Sequence, residues 1–197
     1  GLVWVGSLRG IDRHIPHNSG VLTVVRGSSA GLPGKDVRSV SATRDGKVWL
    51  GFRAEGLALL DPAAGVVKAV PPGHGRAELP GGVIQAIAET GDGRLWIGQP
   101  GGLFQVDPAT GRTTPYAPLA GANIWALCQD KEALWAGGYM GLARIPMDGG
   151  PAQTFHFDGD DPASLSGNSV HALHHDRAGR LWVGTQRGLN LLEDARK

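Results

Sequence analysis

The sequence predicts an all-β fold, a β-propeller arc of four-stranded antiparallel blades with three whole blades flanked by two partial ones. Three observations predict it. The tripeptide Trp-x-Gly recurs as Trp4-Val5-Gly6, Trp49-Leu50-Gly51, Trp96-Ile97-Gly98, Trp135-Ala136-Gly137 and Trp182-Val183-Gly184, at spacings of 45, 47, 39 and 47 residues, and repeats of this period are the signature of blades and solenoids. Each copy is followed, six residues after its Trp or seven in the second copy, by Gly10-Ile11, Gly56-Leu57, Gly102-Leu103, Gly141-Leu142 or Gly188-Leu189. Finally, 32 Gly and 13 Pro beside a hydrophobic fraction of 41% mean frequent turns between short apolar runs, without the period of collagen.

The register holds upstream of the Trp as well. Val37, Ile84, Ile124 and Val170 stand 12, 12, 11 and 12 residues before their Trp, and Leu32, Leu79, Leu119 and Leu165 stand five residues before those. Each unit then supplies the four short strands of a blade. The innermost is Val37–Val40, Ile84–Ile87, Ile124–Leu127 or Val170–Leu173, with Ser or Ala always at its third position, as crowding toward the propeller axis demands. Asp45-Gly46, Asp92-Gly93 and Ala178-Gly179 then read as tight hairpin turns, replaced in the fourth copy by the shorter Lys131-Glu132-Ala133. The second strand carries the Trp and the third begins at Gly-Leu. Asp61-Pro62-Ala63-Ala64-Gly65 and Asp107-Pro108-Ala109-Thr110-Gly111 turn into an outer strand, where Pro115 suits an edge because its missing N–H breaks no ladder.

One aromatic per unit at a fixed place signals packing, so Trp4, Trp49, Trp96, Trp135 and Trp182 are expected between blades. A buried Trp removes about 150–250 Å² from water, on the order of 4–6 kcal/mol of gross burial. The first copy lacks an inner strand and the last an outer one, which divides the chain into remnants at 1–31 and 165–197 around blades at approximately 32–78, 79–118 and 119–164. Both remnants contain second and third strands, so they cannot merge into one closing blade. The chain is therefore expected to be a single propeller segment, an arc of a larger ring, with a distorted five-unit closure as the alternative; an open arc has exposed strand and blade surfaces that invite association, including homodimerisation.

Bulk composition excludes several classes. Lys plus Arg is 19 against 18 Asp plus Glu, with no basic run, so there is no electrostatic footprint for nucleic acid or an anionic membrane. A single Cys excludes an internal disulfide framework and a Cys-based zinc cluster. No apolar run approaches the roughly 20 residues of a transmembrane helix, and Gly1-Leu2-Val3-Trp4 is no signal peptide. A membrane would be reached only through flanking segments outside this sequence.

The fifth copy carries a family resemblance. Its residues Asp161-Pro162-Ala163-Ser164-Leu165-Ser166-Gly167-Asn168-Ser169-Val170, then Asp176-Arg177-Ala178-Gly179-Arg180-Leu181-Trp182-Val183-Gly184-Thr185 and Gly188-Leu189-Asn190, resemble the two-component regulator propeller repeat. Copies two and three keep Gly-x-(Val/Leu)-Trp-(Leu/Ile)-Gly and Gly-Leu without the Ser-Leu-Ser segment, and copy four lacks the Gly before its Trp. The resemblance implies a periplasmic or extracytoplasmic sensor region of a bacterial signalling protein, usually a histidine kinase and sometimes a diguanylate cyclase, often dimeric. Any kinase or cyclase activity would lie outside this chain.

The residues offer no catalytic constellation, so the chain reads as a binding or sensing module, not an enzyme, with no cofactor and no metal. Seven His residues include His171-x-x-His174-His175, but strand alternation puts His171 and His175 on one side and His174 on the other, a poor three-ligand geometry. Cys128 reads as a small buried thiol. The carboxylates sit in Asp-Pro and Asp-Gly turns, where they bond backbone N–H groups.

The variable positions of the repeat are better candidates. Between Trp-x-Gly and Gly-Leu the loops read Ser7-Leu8-Arg9, Phe52-Arg53-Ala54-Glu55, Gln99-Pro100-Gly101, Gly138-Tyr139-Met140 and Thr185-Gln186-Arg187, and all open on one rim. The second residue of each inner strand, Arg38, Gln85, Trp125 or His171, lies at the same end. Arg38, Arg53, Glu55, Gln85, Gln99, Trp125, Tyr139, His171, Gln186 and Arg187 thus offer cations, amides and aromatic rings suited to a small molecule or carbohydrate ligand. Two other classes remain open: a propeller lyase or hydrolase resembling streptogramin lyases, with His171, His174 and Glu55 as candidates, and a scaffold whose blade faces bind another protein.

Overall fold

The computed structural model describes residues 3–7, 10–15, 18–25, 31–73 and 78–192. Leu8 and Arg9 of the first rim loop lie outside the described residues. Among the described residues eighteen strands form five antiparallel sheets in chain order. The first sheet joins β1 (Val3–Ser7), β2 (Gly10–Ile15) and β3 (Asn18–Val25). Three four-stranded sheets come next: β4 (Val37–Ala42), β5 (Val48–Phe52), β6 (Leu57–Asp61) and β7 (Val66–Val70); then β8 (Ala86–Glu89), β9 (Leu95–Gln99), β10 (Gly102–Val106) and β11 (Thr113–Pro115); then β12 (Ile124–Gln129), β13 (Ala133–Gly138), β14 (Gly141–Pro146) and β15 (Gln153–Phe155). The fifth sheet holds β16 (Val170–His175), β17 (Leu181–Thr185) and β18 (Gly188–Leu192). Each is a meander from the inside outward, and Pro115 ends an edge strand. The only helical element among the described residues is a single 3₁₀ turn, Ala117–Leu119. No helix among them is long and apolar enough to cross a membrane.

The core lies between sheets, not within one. Four apolar clusters sit at the four contacts between successive blades: Ile11 with Val37, Leu50 and Phe52; Trp49 and Leu57 with Ile84 and Ile97; Trp96 and Leu103 with Ile124 and Leu134; Trp135 and Leu142 with Val170 and Val183. The Leu residues of the connecting segments, Leu32, Leu79, Leu119 and Leu165, plug one contact each. A single sheet face of this size has nothing else to cover it, so neighbouring blades are the source of its stability.

The glycine of Trp-x-Gly makes this packing close. A Cβ on Gly98 would stand 2.6 Å from Ile124 Cγ2 and 3.0 Å from Ile124 O, and one on Gly51 would stand 2.7 Å from Ile84 Cγ2. On Gly137 it would run into Val170. The glycine of one blade is therefore the seat of the β-branched residue that opens the inner strand of the next. Two of the repeat's fixed positions are one interlocking contact.

The five tryptophans divide by whether a further blade covers them. Trp49, Trp96 and Trp135 are 4%, 6% and 0% exposed. Trp4 is half-buried against the second blade, and Trp182, with no described blade beyond it, is half-buried with the Arg180 guanidinium 5.4 Å from its ring centroid. Trp49, Trp96 and Trp135, and Trp4 in part, pack between blades, and Trp182 covers an outward blade face. Their indole N–H groups are satisfied in different ways. Trp135 Nε1 donates to Asp130 at 2.7 Å and Trp182 Nε1 to Asp176 at 2.9 Å, each within its own hairpin, whereas Trp49 Nε1 donates to Glu89 of the next blade at 3.1 Å. Trp96 Nε1 is buried and has no partner among the described residues.

Candidate functional site

Three inner strands share a fault in their ladders, and it falls on the same repeat position each time. The pairing runs Val37 to Phe52 and then Ser39 to Gly51, Ile124 to Gly138 and then Ala126 to Gly137, Val170 to Thr185 and then Ala172 to Gly184. One residue is left over in each: Arg38, Trp125 and His171 are β-bulge residues. Gln85 occupies the matching place immediately before β8, with its N–H donating to Gly98 O at 2.9 Å. A bulge frees a side chain from the ladder and re-aims it, so the repeat presents one variable residue per blade at the rim end of the inner strand.

Neighbouring blades bring two of these residues together. The Trp125 and His171 rings stack with centroids 4.7 Å apart and planes 9° from parallel. Tyr139, from the rim loop between β13 and β14, meets Trp125 edge-on at 4.1 Å and 65°. Tyr139 is 62% exposed, His171 is exposed and Trp125 is half-buried. Each aromatic contact contributes about 0.5–1.5 kcal/mol, which holds Trp125 between its neighbours.

The remaining rim residues are engaged differently. Arg38 is tied to Asp36, Nε to Oδ1 at 2.8 Å, and Arg53 is exposed. Glu55 accepts the N–H of Ala54 at 3.3 Å. Gln186 accepts the N–H of Ser169 at 2.8 Å and so ties its loop to the segment entering the fifth blade. The Arg187 guanidinium lies 5.2 Å from the Phe157 ring centroid. Gln99 does not reach the open surface: it is 2% exposed, and its amide donates to Pro80 O at 3.3 Å. It occupies the place that Phe52 fills in the previous blade, a buried position closing the top of the sheet. Gln85 is half-buried with an unpaired carbonyl oxygen.

The other sequence candidates give no reactive centre. The simple alternation from His171 to His175 is interrupted by the bulge at His171, whose ring is committed to Trp125. Among the described residues no three His, Cys, Asp or Glu side chains come together as a metal site. Burial pushes the half-buried Cys128 thiol above its ordinary range, the opposite of what a nucleophile requires. The bulges were not legible in the sequence. Their signal was present as the extra residue between the β-branched opener and the small residue facing the Trp-x-Gly glycine.

The family model described as two component regulator propeller matches residues 78–101 and 164–187. No curated protein matches the sequence. Among solved structures, the chain is similar to the extracellular domain described as that of a hybrid two component system of B. thetaiotaomicron, with TM-score 0.78 and 25% identity over 96% of this chain and 25% of that one. A second extracellular domain of that organism, also described as from a hybrid two component system, gives TM-score 0.75 and 23% identity over 98% of this chain and 25% of that one. The chain thus spans about a quarter of the length of these extracellular domains. Virginiamycin B lyase from Staphylococcus aureus gives TM-score 0.68 and 16% identity over 99% of this chain and 67% of that one, a likeness of fold alone.

Proposed function

From the premise that this chain carries two-component regulator propeller repeats, we propose that it is part of the extracytoplasmic sensor propeller of a bacterial signalling receptor and recognises a small molecule or glycan at its rim. The observation that carries the recognition is the Trp125–His171–Tyr139 cluster. Trp125 is the one Trp outside the packing position, it stands on a bulge, and its two ring partners come from a neighbouring blade and a rim loop. The core Trp residues are buried between blades, whereas here Trp125 is half-buried and Tyr139 and His171 are exposed to solvent. Aromatic faces of this kind take the apolar C–H face of a sugar ring, and Gln85 and Arg53 place polar groups at the repeat positions that Trp125 and Tyr139 hold in the fourth blade. The similarity to extracellular domains of two component systems supports the receptor context. Signal output would come from domains outside this chain, which would itself contribute recognition and no catalysis.

A glycan array followed by isothermal titration of its best ligand tests the reading. Trp125→Ala is expected to weaken binding by about tenfold or more and Tyr139→Ala by less, since truncating Trp125 removes the ring that both neighbours pack against as well as its own contact area. Equal affinity of wild type and Trp125→Ala would end the proposal.

A further inference from the structure

The opposite end of the arc carries a second concavity. The turns between first and second strands gather there, and a cavity of about 680 Å³ is lined by Arg44, Gln129, Lys131, His175 and Arg177, together with Asp130 and Asp176. The three cations occupy one repeat position, the residue after Thr43, Asp130 and Asp176, respectively. In the third blade that position is Gly91, and the gap is used: a Cβ there would lie 2.9 Å from Arg44 Nη2 and 3.4 Å from Gln129 Nε2. Arg44 therefore reaches across the third blade toward the fourth, where its guanidinium and the Gln129 amide donors approach the same space. Its one bond is a long 3.4 Å contact to Gly91 O.

The other charged side chains of these turns are paired locally. Lys47 pairs with Asp45 at 2.7 Å, Arg94 with Asp92 at 3.1 Å, Arg144 with Glu132 at 3.5 Å and Arg180 with Asp176 at 2.7 Å. Asp130 spends its oxygens on the Trp135 indole and the N–H groups of Glu132 and Ala133, and Asp176 on Trp182, Ala178 and Arg180. Arg44, Lys131 and Arg177 are exposed and make no ion pair among the described residues. The carboxylates of the cavity are engaged elsewhere, and its three cationic side chains pair with none of them. We infer that this end of the arc is an anion-binding site for a small molecule bearing carboxylate, phosphate or sulfate groups, distinct from the aromatic rim. The volume falls within the range of small-ligand sites, and convergent guanidinium, ammonium and amide donors are the chemistry that holds such groups.

The test is calorimetric titration of this chain with citrate and with inorganic pyrophosphate at low ionic strength, with glucose as the uncharged comparison. Saturable one-to-one binding of at least one anion is expected, undiminished by excess glucose. Arg44→Gln and Lys131→Gln should each weaken it about three- to tenfold, the loss of one charge-assisted bond, and the double variant should abolish it. Lys68→Gln on β7 and Trp125→Ala, both away from these turns, should bind as wild type does. Thermal melts matching wild type show that the variants are folded, and Arg177→Gln gives an independent third arm. The inference is overturned if neither anion saturates, if Lys68→Gln weakens binding as much as Arg44→Gln, or if Trp125→Ala alone removes it. Only the last outcome would move the anion to the rim, so the two sites fail separately.

Discussion

Trp135 and Trp182 stand at the same place in their blades and make the same bond, indole N–H to the first Asp of their own hairpin, at 2.7 and 2.9 Å. One is 0% exposed and the other half-buried. The glycines two residues on differ in the same sense. A Cβ on Gly137 runs into Val170 of the fifth blade, whereas one on Gly184 meets only Ala172 at an ordinary 3.5 Å. Local sequence and local hydrogen bonding are thus alike, and the neighbouring blade makes the difference. The unit of stability in this protein is the contact between blades, and the repeat motif is the half of that contact which each blade carries.

Truncating the two indoles is the strongest way to break this comparison. Trp135→Ala should cost about 3–5 kcal/mol, the range for emptying a buried aromatic site. Trp182→Ala, where water already reaches the ring, should cost less than half as much by urea denaturation. Equal losses would mean that the hairpin bond, and not the next blade, is what the Trp provides. Gly137→Ala comes second, at about 1–3 kcal/mol for overpacking against Val170. Gly184→Ala should stay within about 0.5 kcal/mol, as for an unhindered surface change. A loss at Gly184 equal to that at Gly137 would show that the glycine serves its own strand and has no part in the interlock.

This contrast also explains what could be read from residues alone. The strands, the turns and the Trp, Gly and Leu positions were legible because every blade solves one packing problem with the same residue types at the same offsets. Trp182 was harder, since its motif matches the buried copies and its exposure depends on what lies beyond it. Among the rim residues, Trp125, Tyr139 and His171 were found by their variability against a constant frame. Their mutual stacking was not, because it depends on a bulge, and a bulge changes register without changing composition. Gln99 marks the limit of that approach: a variable polar residue at a loop start reads as exposed, yet its amide closes the top of a blade. The cations Arg44, Lys131 and Arg177 passed unnoticed in turns that look merely solvated. Only the local pairing of the other charges singles them out.

The smallest expected effect concerns the indole left without a partner. Thr90 holds the hairpin position that is Asp in the last two blades, and its hydroxyl donates to Asp92 at 2.6 Å while Trp96 Nε1 stays buried and unpaired. The double variant Thr90→Asp with Asp92→Ala reproduces the Asp176, Ala178 and Gly179 positions of the last blade with Gly91 kept in the place of Arg177, and Arg94 stands where Arg180 pairs with Asp176. It should add about 0.5–1.5 kcal/mol, the net yield of one satisfied hydrogen bond, measured by urea denaturation at neutral pH. The gain should also carry a pH signature. Burial alone would raise the Asp130 carboxyl, but the Trp135 indole, the N–H groups of Glu132 and Ala133 and nearby His175 together hold it below its ordinary range; the Trp182 indole and the N–H of Arg180 lead the same lowering at Asp176. A carboxyl depressed on folding binds its proton more readily in the unfolded chain, so its contribution is complete above the ordinary carboxylate range near pH 4 and disappears as pH falls below it. The variant's advantage over wild type should therefore vanish on acidification through that window. An advantage unchanged at low pH would show that the new carboxylate had not taken up the Trp96 indole.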